Sequence, residues 1–249
     1  MRVRHIVVLI LLAVNRTAGA TGEENELFVT IPVVDTSAAG SPVKSTGTVR
    51  FSEDAEKGRV VCSFACEIQS TNISQQPILL LVIRQEVRCP NGRIVRRLIE
   101  YEHLFEPEPL DPGKAEVEPA EHCQGRRTEP ALSRADTPSA ETTTLYAEFR
   151  DGTTFGDKKY ALHVRQIRKG TLKILRKLEE AYATHGERQF LEELFRPPDP
   201  REIREASAVN DLFIQPLRRV QEEHGTAEAI RAVQQKLSNA EEKLALVGK

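Results

Sequence analysis

The chain contains no tryptophan, a single methionine and only 5% aromatic residues. Its core must therefore be built from Leu, Ile, Val and Ala, without the large rings that usually dominate buried area. Charge of one sign is also lacking. The formal net charge is −2 over 249 residues, and neither half carries the patterned basic stripe of a nucleic-acid-binding domain, so nucleic acid is excluded as a partner. No apolar run reaches the about 20 residues that a helix needs to cross a bilayer core. Catalytic signatures are missing as well: there is no Gly-x-Ser-x-Gly elbow and no His-Glu-x-x-His pair. Gly113-Lys114 lacks the upstream glycine and the following Ser or Thr of a phosphate loop. Zinc sites show paired ligands a few residues apart, a spacing that His103, His122 and Cys89 do not have. No metal or other cofactor is expected.

What is present begins with an address. Arg2 and Arg4 precede a short apolar run over residues 6–14, which leads to Ala18-Gly19-Ala20. That is the form of a secretory signal peptide, with cleavage expected after Ala20. The expected organisation is a signal peptide over residues 1–20, a β-sandwich domain over 21–156 with a long Pro- and Glu-rich loop at about 106–140, and a helical region over 157–249. Export to the periplasm or the medium places the four cysteines in an oxidising compartment. Cys62 and Cys66 lie four residues apart in an alternating run, so on a strand their Cα atoms are roughly 13 Å apart, against the about 5.5 Å that a disulfide requires. They read as small buried hydrophobes. Cys89, at a strand end, and Cys123, in the long loop, are the expected disulfide.

From Thr21 to about Phe155 the pattern is strand and turn. Leu27, Val29 and Ile31 alternate, residues 59–70 give the cleanest period of two, and residues 78–88 start apolar and end polar, as a strand leaving a core does. Asn91-Gly92 is a hairpin signal, and Ile94, Leu98 and Leu104 then alternate against Val95, Ile99 and Tyr101. A short strand is expected over residues 115–118 after Asp111-Pro112-Gly113, a mobile loop from Cys123 to Ala140, and a last strand over 142–150. Six or seven antiparallel strands predict an immunoglobulin-like β-sandwich within an α+β fold.

At Asp157, a good N-cap, the period changes to 3.6. Val164, Ile167, Thr171, Ile174, Leu178 and Tyr182 share one helix face, ending at His185-Gly186; Arg165, Lys169, Lys173 and Arg176 line another. A second helix is expected over 188–195, a third from Asp199-Pro200 that Pro216 should kink or interrupt, and a fourth after His224-Gly225-Thr226 with Ile230, Val233, Leu237 and Leu244 as its stripe. His185 and His224 each sit before a helix-ending glycine, where both residues are explained by capping. Glu100, Glu102, Glu106 and Glu108 read as the solvated rim of a strand end. The basic hairpin (Arg84, Arg88, Arg93, Arg96, Arg97) and the basic helix face are the candidate contacts for an anionic partner. Asn72-Ile73-Ser74 is a glycosylation pattern in a turn.

The run from Tyr146 to Asp157, a strand, an Asp-Gly turn and a Gly-Asp helix cap, resembles a segment of uncharacterised exported bacterial proteins, and Asn72-Ile-Ser-Gln-Gln-Pro-Ile78 is similar to their strand-linking turn. The resemblance implies an envelope or secreted protein with a sandwich followed by helices, and carries no site residues. The resulting expectation is a non-enzymatic exported interaction module that binds a protein partner or self-associates. The alternatives are an envelope hydrolase or transferase with a site scattered in sequence, and peripheral membrane contact through the basic helix.

Overall fold

The computed structural model describes residues 27–56, 59–89, 94–118, 124–130, 137–201, 203 and 205–247. The expected signal peptide lies outside them. The fold is α+β: antiparallel sheets come first and helices follow. One sheet orders β1 (Leu27–Pro32), β3 (Val43–Glu56), β4 (Arg59–Asn72) and β7 (Ala115–Glu118), with β8 (Gln124–Pro130) also paired to β4. The second orders β10 (Thr154–Gly156), β9 (Ser139–Phe149), β5 (Ile78–Arg88) and β6 (Ile94–Glu102), and β2 (Val34–Asp35) joins β9 in a parallel pair. The two sheets share a core in which Val49, Phe51, Phe64 and Cys66 of the first meet Val87, Cys89 and Ala140 of the second.

β5 is the centre of the second sheet, and its apolar run is buried on both faces. Leu81 and Ile83 turn inward with Ala147, whereas Leu80 and Val82 turn outward beneath Ala161 and Val164. That outer contact seats the helical region. Asp157 caps the first turn as expected, its carboxylate accepting from Lys159 N at 2.9 Å. α1 (Leu162–His185), α2 (Glu187–Phe195), α3 (Ala206–Val209), α4 (Gln215–His224) and α5 (Thr226–Val247) follow. Gly186 and Gly225, at φ 77° and 89°, end α1 and α4 by donating to Tyr182 O and Gln221 O.

Several expectations are corrected. The segment expected as a mobile loop contains β8, a charged strand that forms because β4 is long enough to offer it a pairing edge. No helix starts at Asp199. Its carboxylate accepts from Arg201 N within a turn, and the helix begins at Ala206. The α-helical pattern is interrupted just before Pro216, as expected, although the chain stays helical. A π-turn over Asn210–Ile214, closed by Gln215 N to Asn210 O, widens the helix just before the proline ring, which relieves its clash with the preceding turn. Leu244 is 40% exposed, and Ala229 and Ala240 complete the stripe of α5 instead.

The helices do not form a core of their own. Leu104 and Phe105, from the segment leaving β6, are buried among Leu175, Phe190, Val209 and Leu237, and the Phe105 ring meets Phe213 edge-on at 5.0 Å. Asn239 Nδ2 donates to Phe105 O at 3.2 Å, and Lys243 Nζ to His103 O at 2.7 Å and to Glu106 O. The junction also contains a buried charge cluster. Arg168, 8% exposed, donates from Nε and Nη2 to the two oxygens of Glu102 at 2.6 and 3.0 Å, and from Nη1 to Glu148 at 2.6 Å. Burial opposes its charge, yet the two carboxylates outweigh that and hold the guanidinium above its usual pKa.

Removing one member of a buried ion cluster leaves the others unpaired, at a typical cost of about 3–5 kcal/mol. Arg168→Leu should therefore lower stability by about that amount in urea unfolding, and adding Glu102→Gln and Glu148→Gln should recover part of it. A loss below about 1 kcal/mol would show that the cluster does not hold the helices to the sheet.

Candidate functional site

Several strands, including β1, β7, β8 and β10 as well as β6, have a single paired neighbour among the described residues, and β6 together with β7 borders a cleft. Among the described residues β6 has β5 as its strand neighbour on one side and no strand on the other. The direction of its amides follows from one bond: His103 N donates to Leu79 O at 2.9 Å, continuing the β5–β6 register. Hydrogen-bonded and non-bonded pairs alternate along an antiparallel ladder, so Val95, Arg97, Ile99 and Tyr101 direct their amides to β5. Ile94, Arg96, Leu98, Glu100 and Glu102 direct theirs to the open side. An edge of this kind is a template for another strand.

Beside it, between residues 97–101 of β6 and residues 116–118 of β7, lies a cleft of about 490 Å³. Leu98 on one lip and Val117 on the other are 56% and 62% exposed. Each lip thus presents one apolar side chain to water. The interior is acidic. Tyr101 Oη donates to Glu118 Oε2 at 3.1 Å, and burial, reinforced by the Glu118 charge, pushes the phenol above its usual pKa. Burial also raises the Glu116 and Glu100 carboxyls; for Glu100 the His163 charge opposes this and Glu102 adds to it. His103 Nε2 is 3.4 Å from Glu116 Oε1, yet burial, followed by the Lys243 charge, brings its pKa down to about 4 and keeps it neutral at pH 7. The lining of the cleft thus offers the Tyr101 phenol, committed as donor to Glu118, and the carboxyls of Glu100, Glu116 and Glu118, with His103 behind Glu116 and outside the lining. Among the described residues no three metal-ligating side chains converge.

The residues singled out from sequence are dispersed. Arg165 donates to Tyr146 Oη at 3.2 Å and lies 3.6 Å from Glu148; Arg176 lies 3.4 Å from Glu241. Lys169 and Lys173 are on the exposed face of α1. Arg165 and Arg176 of this basic face are thus directed to the protein's own carboxylates. In the basic hairpin Arg96 pairs with Glu86 at 2.7 Å, Arg84 donates to Thr143 at 3.2 Å and Arg97 stacks 5.8 Å from the Phe64 ring centre. Arg93, His122 and Cys123 lie outside the described residues. The solvated-rim reading fails for Glu102, which Arg168 has drawn into the interior; Glu106 and Glu108 are exposed. Asn72 is fully buried, its amide donating to Gln76 O and Leu110 O at 2.8 Å, so the folded chain does not present it to a glycan.

The Cys89–Cys123 bridge is corrected: Cys89 carries a thiol. It shares the parity of Val87 on the strand path, and this turns it into the inter-sheet core instead of toward a loop. Cys66 faces the core as expected, but it belongs to a disulfide rather than serving as a small hydrophobe. The residue that sequence reasoning missed was Arg168. It lies four residues after Val164 and seven before Leu175, in line with the apolar stripe, and a charge in such a position was the available signal.

Two outcomes test this description. Peptide mapping without reduction should find Cys66 in a linked peptide and Cys89 as a thiol that alkylates only after unfolding; Cys89 in the linked peptide contradicts it. For His103, the folded pKa of about 4 lies below the ordinary 6.5. The unfolded chain therefore binds more protons between these values, and the stability present above pH 6.5 is lost as pH falls toward 4. His103→Gln should flatten the urea midpoint over that interval, and an unchanged slope would assign the dependence to other groups.

Compared with known proteins, the chain matches no family model, no curated protein and no solved structure.

Proposed function

We propose that the chain is an exported, non-enzymatic protein-binding module of the cell envelope or secreted fraction, and that it receives its partner as an added strand at β6. The observation that carries this reading is the open edge itself: five residues with outward amides, exposed Leu98 at their centre, and a second apolar lip at Val117. Main-chain pairing supplies affinity in strand addition, while alternate side-chain pockets supply specificity. The cleft between β6 and β7 provides such a pocket, with carboxylates to take basic or hydrogen-bond-donating side chains.

The immunoglobulin-like reading of the two sheets belongs to the same proposal. Two sheets sharing one core and presenting edges support it. The chain also passes from one sheet to the other between consecutive strands at β4 to β5, as it does between strands B and C of the antibody pattern.

A photoreactive residue placed at Leu98 should give a discrete covalent adduct in cells that make the protein, while the same residue at Leu212, 59% exposed on the helical side, should give none. Equal labelling from the two positions, or none from Leu98, would overturn the proposal.

A further inference from the structure

We infer that the partner at this edge is a second copy of the chain, the two β6 strands pairing antiparallel about a two-fold axis at Leu98 so that the second sheet runs unbroken through a dimer. The inference rests on the reading of β6 as a binding edge and adds the identity of what binds there.

Side chains are ordered by charge along Ile94-Val-Arg-Arg-Leu-Ile-Glu-Tyr-Glu102. Both cations are in the first half and both carboxylates in the second, so an antiparallel copy places unlike charges opposite each other. With Leu98 on the axis, Arg96 faces Glu100 twice, Ile94 faces Glu102 twice, and the two Leu98 side chains meet at the centre. These five residues are the ones whose amides point to the open side, as ladder hydrogen bonding requires. Neighbouring registers fit less well. An axis at Arg97 sets Arg97 against itself. An axis at Ile99 sets Leu98 against Glu100 and offers Arg96 a Glu102 that Arg168 already holds.

Each monomer also contains what the pairing uses. Leu98 is 56% exposed although it sits at the middle of a strand. Arg96 contacts Glu86 through Nε, but its side chain is 65% exposed and a guanidinium has five donors. Glu100 lies on the same outer face of the sheet as Arg96, since it pairs with Val82 and Arg96 with Glu86. Self-complementary contacts of this kind are what a two-fold interface consists of, because each residue pair occurs twice.

The test uses the purified chain alone, in sedimentation equilibrium over a wide concentration range. Wild type should reach twice the chain mass. Arg96→Glu and Glu100→Arg should each weaken self-association by about tenfold or more, because each places like charges opposite one another at two points. Circular dichroism establishes that both variants are folded. Mixed together, the two variants should recover dimerisation, since the Arg96→Glu chain then faces complementary charges on the Glu100→Arg chain; recovery in the mixture is independent of what either change costs its own fold. A wild type that stays monomeric throughout overturns the self-association, while a Leu98 adduct with a different protein in cells would leave the binding-edge reading standing. A dimer unaffected by both substitutions, or failing to recover in the mixture, overturns this register.

Discussion

Arg168 makes the two halves of this protein one structure. Its guanidinium reaches from α1 into the second sheet and is bound by a carboxylate from each of two strands, Glu102 at the end of β6 and Glu148 near the end of β9. An unpaired charge at that depth would be expelled or neutralised, so the three groups are mutually obligatory. The planar fork of arginine suits the role, because it can satisfy both oxygens of Glu102 while a further nitrogen serves Glu148. The cluster fixes where α1 lies on the sheet, and therefore where every later helix lies.

The same cluster explains how an edge strand with one neighbour keeps its shape. β6 is held along its length by β5, and at its C-terminal end by Arg168. The residues that follow are tied to α5 through Asn239 and Lys243. A strand anchored this firmly would lose little further conformational freedom on accepting the proposed partner strand, so main-chain bonds at its open side would not be spent on ordering it. The N-terminal half of β6 lacks these ties, and it is there that Arg96 stands exposed.

Much of this architecture is legible in the order of residues. Residues 78–88 and 115–118 coincide with β5 and β7, and the His-Gly pairs mark where α1 and α4 stop, because periodicity and left-handed glycines act locally. What escaped depends on partners. β8 has little apolar alternation to announce it and exists because β4 extends far enough to pair with it. Arg168 is on the apolar stripe of α1, yet its meaning requires Glu102 and Glu148, 66 and 20 residues away. The candidate site escaped for the same reason: the charge order of β6 can be read from sequence, but its standing as an edge is a property of sheet order, which no single strand encodes.

Phe105 enters the helical core against Phe213, and Lys243, six residues from the end of the chain, closes over the backbone at His103 and Glu106. Contacts spanning more than a hundred residues form late, after shorter loops have closed. During synthesis, then, the sheet edge waits for the last helix to emerge before its C-terminal end is clamped. Until α5 has been made, the backbone that follows β6 lacks the partners that hold it in the finished fold.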